Sequence, residues 1–222
     1  MSTDIFKALR QQMVAEVVAE TIYVCLRLGK AALDGRVIEA INKVPRHQFV
    51  PLELQPYAYL NRPLPIGFDK TISQPFIVAL MTDLLELKSN DTVLEIGTGL
   101  GYQAAVLAEL AKKVYTIEII DELAREAKQR LGQLGYLNVM LRTGNGYNGW
   151  PEHPPFDKVI VTAAPSAIPE SLLSQLKPGG KMVLPAGPPN AQQLVLVDKN
   201  PKGKITIKEI MPVRFSQLEQ TE

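Results

Sequence analysis

Hydrophobic residues recur at helical spacing through the first forty residues and then change rhythm. Ile5, Leu9, Met13, Val17, Val24 and Leu28 lie four or seven positions apart, which predicts one or two amphipathic helices over residues 4–28. Beyond Gly29 the pattern continues over residues 33–42, with Val37, Ile38 and Ile41 on one face. Val44-Pro45 and Val50-Pro51 then break it, because proline pushes the residue before it into extended backbone. Residues 55–75 hold Pro56, Tyr57, Tyr59, Pro63, Pro65, Phe68 and Pro75, too many prolines for regular structure and too many apolar side chains for a disordered linker. An ordered loop packed over something else is expected there. A helix over 76–87 follows, with Ile77, Leu80, Leu84 and Leu87 on its buried face.

From Thr92 onward, short apolar runs alternate with helical stretches. Strands are predicted at 93–96, 114–118, 139–142, 158–162 and 181–184, and helices at 102–111, 122–132 and 169–176. This alternation is the signature of a parallel sheet covered by helices on both faces. Two further runs, 193–197 and 205–210, flank the polar link Asp198-Lys199-Asn200-Pro201-Lys202-Gly203-Lys204, so the sheet is expected to end in an antiparallel hairpin. The fold class is therefore α/β. One domain over residues 1–222 is expected, with residues 1–75 as a helical and loop-bearing N-terminal region.

Composition narrows the partners. Lys and Arg total 24 against 23 acidic residues, a formal charge of +1, so no strong field points to nucleic acid or to an anionic membrane. Cys25 is the single cysteine, which excludes an intrachain disulfide and a paired-cysteine metal site. Glu16, Glu20 and Arg27 interrupt the apolar stretch over 13–28, so neither a signal peptide nor a membrane span is supported. The expectation is a cytoplasmic monomer without a metal.

The chemistry concentrates in Val93-Leu94-Glu95-Ile96-Gly97-Thr98-Gly99-Leu100-Gly101-Tyr102. A buried strand running into three alternate glycines and then a helix makes a nucleotide pocket, because only glycine permits both the turn and close backbone approach to a ligand. In a dinucleotide fingerprint, the third small residue would fall where Tyr102 stands, which argues against NAD. The order Glu95-x-Gly97-x-Gly99-x-Gly101 is similar instead to the loop of S-adenosylmethionine-dependent methyltransferases. Glu118 ends the next strand, where a carboxylate accepts from ribose hydroxyls, a requirement common to both cofactors. Asn145-Gly146 ends the strand after that, where an amide can bond the adenine edge. Arg46 reads as the structural partner of a carboxylate, and Trp150 as a packing anchor.

Taken together, the chain resembles the protein-L-isoaspartate (D-aspartate) O-methyltransferases. The resemblance rests on Val44-Pro45-Arg46, Phe49-Val50-Pro51, Pro63-Leu64-Pro65-Ile66-Gly67, Thr71-Ile72-Ser73-Gln74-Pro75, residues 93–102, Gly149-Trp150-Pro151-Glu152, Pro155-Phe156-Asp157, Ile160-Val161-Thr162-Ala163-Ala164-Pro165, Leu176-Lys177-Pro178-Gly179-Gly180 and Val213-Arg214-Phe215. It implies a doubly wound, seven-stranded, mostly parallel sheet of the Rossmann-like class I type with an N-terminal helical extension. It further implies Ser73 as the active-site residue and S-adenosyl-L-methionine as cofactor. Cofactor contacts carried over by motif are Thr71, Ile72, Ser73, Glu95, Gly97, Thr98, Gly99, Gly101, Glu118, Asn145 and Gly146. Ser73, Gln74, Val213 and Arg214 would meet the substrate, a damaged protein or peptide bearing isoaspartate.

Five features depart from the family pattern. Asn145 and Asn61 stand where aspartate is usual or frequent, Lys70 where glutamine is, and Ser216-Gln217-Leu218 where Val-Pro-Leu is. The stretch over 22–35 is also longer than usual. Three readings stay open on the sequence: isoaspartyl repair, methylation of another carboxylate, and a cofactor-binding homologue without catalysis. The bland reading of Ser73 is an N-cap for the helix that follows, since serine is a favoured cap.

Overall fold

The computed structural model describes residues 5–153 and 155–220. The N-terminal region forms one long helix, α1 (Ile5–Leu28), and a short one, α2 (Gly35–Lys43). Two 3-10 turns, Arg46–Phe49 and Leu52–Tyr57, lead into a small hairpin of β1 (Leu64–Gly67) and β2 (Lys70–Ile72), after which α3 (Pro75–Leu84) begins. Residues 55–75 are thus not devoid of regular structure. Pro63 precedes β1, and Pro65 is accommodated within it because β1 is an edge strand that pairs on one side only, with β2. The turn between them, Phe68-Asp69, has both residues at positive φ, 53° and 54°, as the right-handed twist of a two-residue hairpin requires.

The second half alternates as predicted: β3 (Thr92–Ile96), α4 (Tyr102–Ala108), β4 (Lys113–Glu118), α5 (Asp121–Gln133), β5 (Val139–Thr143), β6 (Phe156–Val161), α6 (Glu170–Gln175), β7 (Leu176–Ala186), β8 (Gln192–Lys199) and β9 (Ile205–Val213). These strands make a seven-stranded sheet in the order β5-β4-β3-β6-β7-β8-β9. β5 to β7 run parallel, and β8 and β9 close the edge antiparallel. The strand after α6 starts earlier than its hydrophobic run suggests, because Leu176 already pairs with Phe156. That leaves α6 only six residues.

The two faces of the sheet are covered unequally. Val93, Val114, Ile160 and Val183 face a large core that continues through α1 to α5, from Met13 and Val17 to Leu123 and Leu131. Alternate residues, Leu94, Tyr115, Val159 and Met182, face the other side, which is closed by α6 and by the segment around Trp150. Trp150 is buried edge-on against Tyr115, at 5.0 Å between ring centroids, with the Arg142 guanidinium over its ring at 4.4 Å. Arg46 is fully buried, yet no carboxylate pairs with it among the described residues. Its Nε donates to the Ala58 carbonyl at 2.8 Å, and its guanidinium lies 4.8 Å from the centre of the Tyr102 ring. Burial without an anion pulls its pKa down to about 10. Tyr102 therefore anchors the 46–62 loop on the start of α4, a packing reason for a ring where a dinucleotide fold has a small residue.

Candidate active site

The sheet order reverses at β3, which has β4 on one side and β6 on the other. In an open α/β sheet the crevice beyond the carboxyl ends of such strands receives the ligand. Here the chain leaving β3 folds back over β4, with Gly97 N–H donating to the Ile117 carbonyl at 2.8 Å. Gly97, Gly99 and Gly101 all have positive φ, 93°, 55° and 98°, and the first and third lie beyond the narrow left-handed region that L-residues reach, so only glycine takes those two places without strain. Space adds to this at Gly97, where a Cβ would come within 2.5 Å of Thr162 Oγ1. That hydroxyl donates to the Gly97 carbonyl at 2.6 Å and so holds the turn from the β6 side.

Glu118 ends β4 beside this turn and is 5 % exposed. One carboxylate oxygen accepts from Gly99 N–H at 2.7 Å, the other from Ile119 and Ile120 N–H at 3.0 and 3.1 Å. Burial pushes its pKa up from the ordinary range, while the three amide bonds and the charge of Lys70 pull it back. Three of its roughly four lone-pair positions are thus filled, which leaves one on Oε2 for an outside hydroxyl. Glu95 behaves differently. It points from β3 into the core beneath the turn, fully buried, accepting from Thr116 Oγ1 at 2.6 Å, with Oε1 unpartnered. Burial, opposed by the Thr116 bond and reinforced by the charge of Glu118, pushes its pKa up to about 8.

A cavity of about 390 Å³ opens in front of the turn, within the size range of small-molecule sites. Thr71, Ser73, Gly97, Gly99, Glu118 and Gly146 line it on one side, and Gln74, Val213 and Arg214 on another. Ile72 and Thr98 instead line a smaller adjoining pocket, which Thr71, Ser73, Gly97 and Gly99 share. Glu95, Gly101 and Asn145 line neither. Asn145 caps the short turn Gly146–Asn148, its side chain accepting from Tyr147 N–H at 2.9 Å. Gly146 is required by packing, since a Cβ there would overlap Ile96 Cγ2.

Ser73 lies between β2 and α3, half-buried where the two pockets meet. It does not cap α3. The helix starts at Pro75 with Gln74 at the cap position, and the Phe76 N–H is satisfied at 3.0 Å by Asn61 Oδ1. The Ser73 hydroxyl has no hydrogen bond among the described residues, so it is left facing the cavity.

Other parts of the wall have little local signal in the sequence. Glu20 of α1 lines the cavity, as do residues 215–219 of the C-terminal segment. That segment is held by sheet-like bonds to Ala164, from Ala164 N–H to the Ser216 carbonyl at 2.8 Å and from Leu218 N–H to the Ala164 carbonyl at 2.9 Å. Lys70 forms an ion pair with Glu219, joining the β1–β2 hairpin to this segment across the cavity.

Backbone-only approach at Gly97 and Gly99, a buried carboxylate with a remaining acceptor position, and a cavity at the switch point suit a ligand that carries a nucleoside. Site and fold together define an S-adenosylmethionine-dependent methyltransferase of the Rossmann-like type. The model of the protein-L-isoaspartate(D-aspartate) O-methyltransferase family matches residues 16–222. The chain belongs to that family. It is 65 % identical over 217 residues to protein-L-isoaspartate O-methyltransferase 1 of Polaromonas sp. (strain JS666 / ATCC BAA-500), covering 98 % of this chain and 92 % of the relative. It is 55 % identical over 216 residues to protein-L-isoaspartate O-methyltransferase 2 of Syntrophobacter fumaroxidans, covering 97 % and 87 %. A solved protein-L-isoaspartate O-methyltransferase superposes with a TM-score of 0.79 at 27 % identity, over 94 % of this chain and 65 % of that one. A Plasmodium falciparum chain in complex with S-adenosyl-L-homocysteine superposes at 0.77 with 22 % identity, over 96 % of this chain and 99 % of that one, a likeness of fold.

Proposed function

We propose that this chain transfers a methyl group from S-adenosyl-L-methionine to the free carboxylate of L-isoaspartyl and D-aspartyl residues in damaged proteins. The observation that carries this reading is Ser73, whose hydroxyl is spared from helix capping and faces the junction of the two pockets. In this reading Glu118 receives the ribose diol, Gly97 and Gly99 allow backbone contact, and Gly146 with Leu218 borders the base. The cofactor supplies an electrophilic methyl on sulfur. Thr71 and Ile72 bring the β2 end against the glycine turn, and Thr98, Gly101 and Glu95 act from beneath it by fixing its shape. Asn145 serves the same end by capping the turn that carries Gly146.

The acceptor needs no general base, because a carboxyl with a pKa of about 4 is already ionised at neutral pH. Catalysis then rests on holding that carboxylate in line. Ser73 donates to it, Arg214 offers it a positive charge, and Gln74 and Val213 border it. Orientation of this kind is worth up to roughly 7–11 kcal/mol in the best cases. Charge is neutralised as the bond forms, which a water-poor cavity favours. The methyl ester is an activated acyl group: the following backbone nitrogen attacks its carbonyl carbon and methanol leaves, giving a succinimide that water opens in part to normal aspartate.

We read the chain as one domain acting as a cytoplasmic monomer. No helix among the described residues is long and apolar enough to cross a membrane. The deciding experiment is methyl transfer to an isoaspartyl peptide beside its normal aspartyl twin. Transfer to the first alone is expected; transfer to both alike, or to neither, sinks the reading.

A further inference from the structure

We propose that Glu20 is a specificity-determining residue, an anionic gate at the cavity rim that selects against acidic and for basic side chains next to the isoaspartyl residue. The proposal rests on the acceptor role of this cavity argued above. Among the described residues three carboxylates, those of Glu20, Glu118 and Glu219, line the cavity. Glu118 is buried beside the glycine turn, away from the rim, and the charge of Glu219 is matched by Lys70. Glu20 is exposed and, among the described residues, is held by neutral groups only. Its Oε2 accepts from Asn61 Nδ2 at 2.7 Å and from Gln74 Nε2 at 3.2 Å, and its Oε1 from Gln74 Nε2 at 3.3 Å. Amide donors fix a carboxylate in place without cancelling its charge.

The same contacts tie Glu20 to the acceptor position. Gln74 follows Ser73 directly, and Asn61 caps the helix that begins at Pro75, so Glu20, Asn61 and Gln74 form one network around the Ser73 link. Asn61 is the chemically consistent partner. An aspartate there would keep the cap on Phe76 N–H but set two carboxylates against each other, whereas the amide accepts from Phe76 and donates to Glu20. The side chains on either side of an isoaspartyl residue must pass the cavity mouth while its carboxylate reaches Ser73. There they meet the Glu20 charge, exposed enough to be screened by salt.

The test uses three isoaspartyl peptides that differ only in carrying Lys, Gln or Glu at the positions flanking the isoaspartyl residue. At about 0.01 M salt the wild-type chain should favour the Lys peptide over the Glu peptide by about two- to fivefold in kcat/KM, chiefly through KM, and the ratio should shrink near 1 M. Glu20→Gln, which keeps the acceptor oxygen, should bring the ratio to about one. Glu16→Gln, one turn away on α1 and outside the cavity, should keep the wild-type ratio. A wild-type ratio near one, a ratio unchanged by Glu20→Gln, or an equal fall in Glu16→Gln each overturns the proposal while leaving isoaspartyl transfer standing. No transfer to any of the peptides overturns both.

Discussion

The cavity has two walls of different construction. The wall we assign to the methyl donor, with Gly97, Gly99, Glu118 and Gly146, comes from the ends of three strands adjacent in one parallel sheet. Its groups are fixed by backbone hydrogen bonds and by contacts that leave no room for a Cβ. The acceptor wall draws on α1, the hairpin with the start of α3, and the C-terminal segment, which meet through side chains: Glu20 to Asn61 and Gln74, Lys70 to Glu219, and Phe215 N–H to Gln192 Oε1 at 2.6 Å. A wall made of main chain tolerates surface change and holds a cofactor that never varies. A wall made of side-chain contacts between remote segments can change by single substitutions, and the departures at 61, 70, 216 and 217 fall on it, whereas Asn145 and Leu218 lie beside Gly146 on the donor side.

Variants on the two walls are expected to separate in what they alter. The largest effect is expected from Ser73→Ala: a loss on the order of 10²-fold in kcat/KM on an isoaspartyl peptide, as for removal of one positioned donor, with cofactor affinity unchanged within about twofold. Equal loss in cofactor binding by calorimetry would move Ser73 to the donor wall. Glu118→Gln should do the reverse, weakening S-adenosylmethionine by roughly tenfold, the scale of a hydrogen bond to a charged group. A variant that binds cofactor normally would break the donor assignment.

Glu95 tests the donor wall from below through pH. Its folded pKa of about 8 lies above the ordinary carboxylate value, so between the two the folded chain holds a proton that the unfolded chain has released. Stability therefore falls as pH rises from about 5 to about 8 and levels off above that. Glu95→Gln removes this loss, and its advantage over the wild type should grow across the same window by on the order of a few kcal/mol. Denaturant unfolding at both ends of the window measures it; parallel wild-type and variant profiles would mean that Glu95 is not held neutral.

The smallest effect is expected at Lys70. Removing the ion pair with Glu219 in Lys70→Gln should raise KM for an isoaspartyl peptide by about two- to threefold at low salt and make little difference at high salt, as for a partly exposed pair. A KM that shows no salt-dependent difference from the wild type would mean that the C-terminal segment is held by its bonds to Ala164 alone.

The α/β alternation, the antiparallel end of the sheet, the glycine turn and Glu118 were legible because each depends on residues within one strand–turn–helix unit, where spacing alone fixes geometry. Ser73 was identifiable through its motif, but local pattern favoured a helix cap there. Only Asn61, twelve positions upstream, releases it by taking the cap. Glu95 and Asn145 had the right composition for ligand contacts, yet burial turns one inward and capping occupies the other. Glu20 left no sequence signal, since a carboxylate on a long exposed helix looks like any solvated charge. What the sequence by itself determined is the donor wall, because short-range backbone chemistry builds it. What only the tertiary structure decided is the acceptor wall, because its contacts join residues separated by 23 to 149 positions, a distance across which no local pattern carries information.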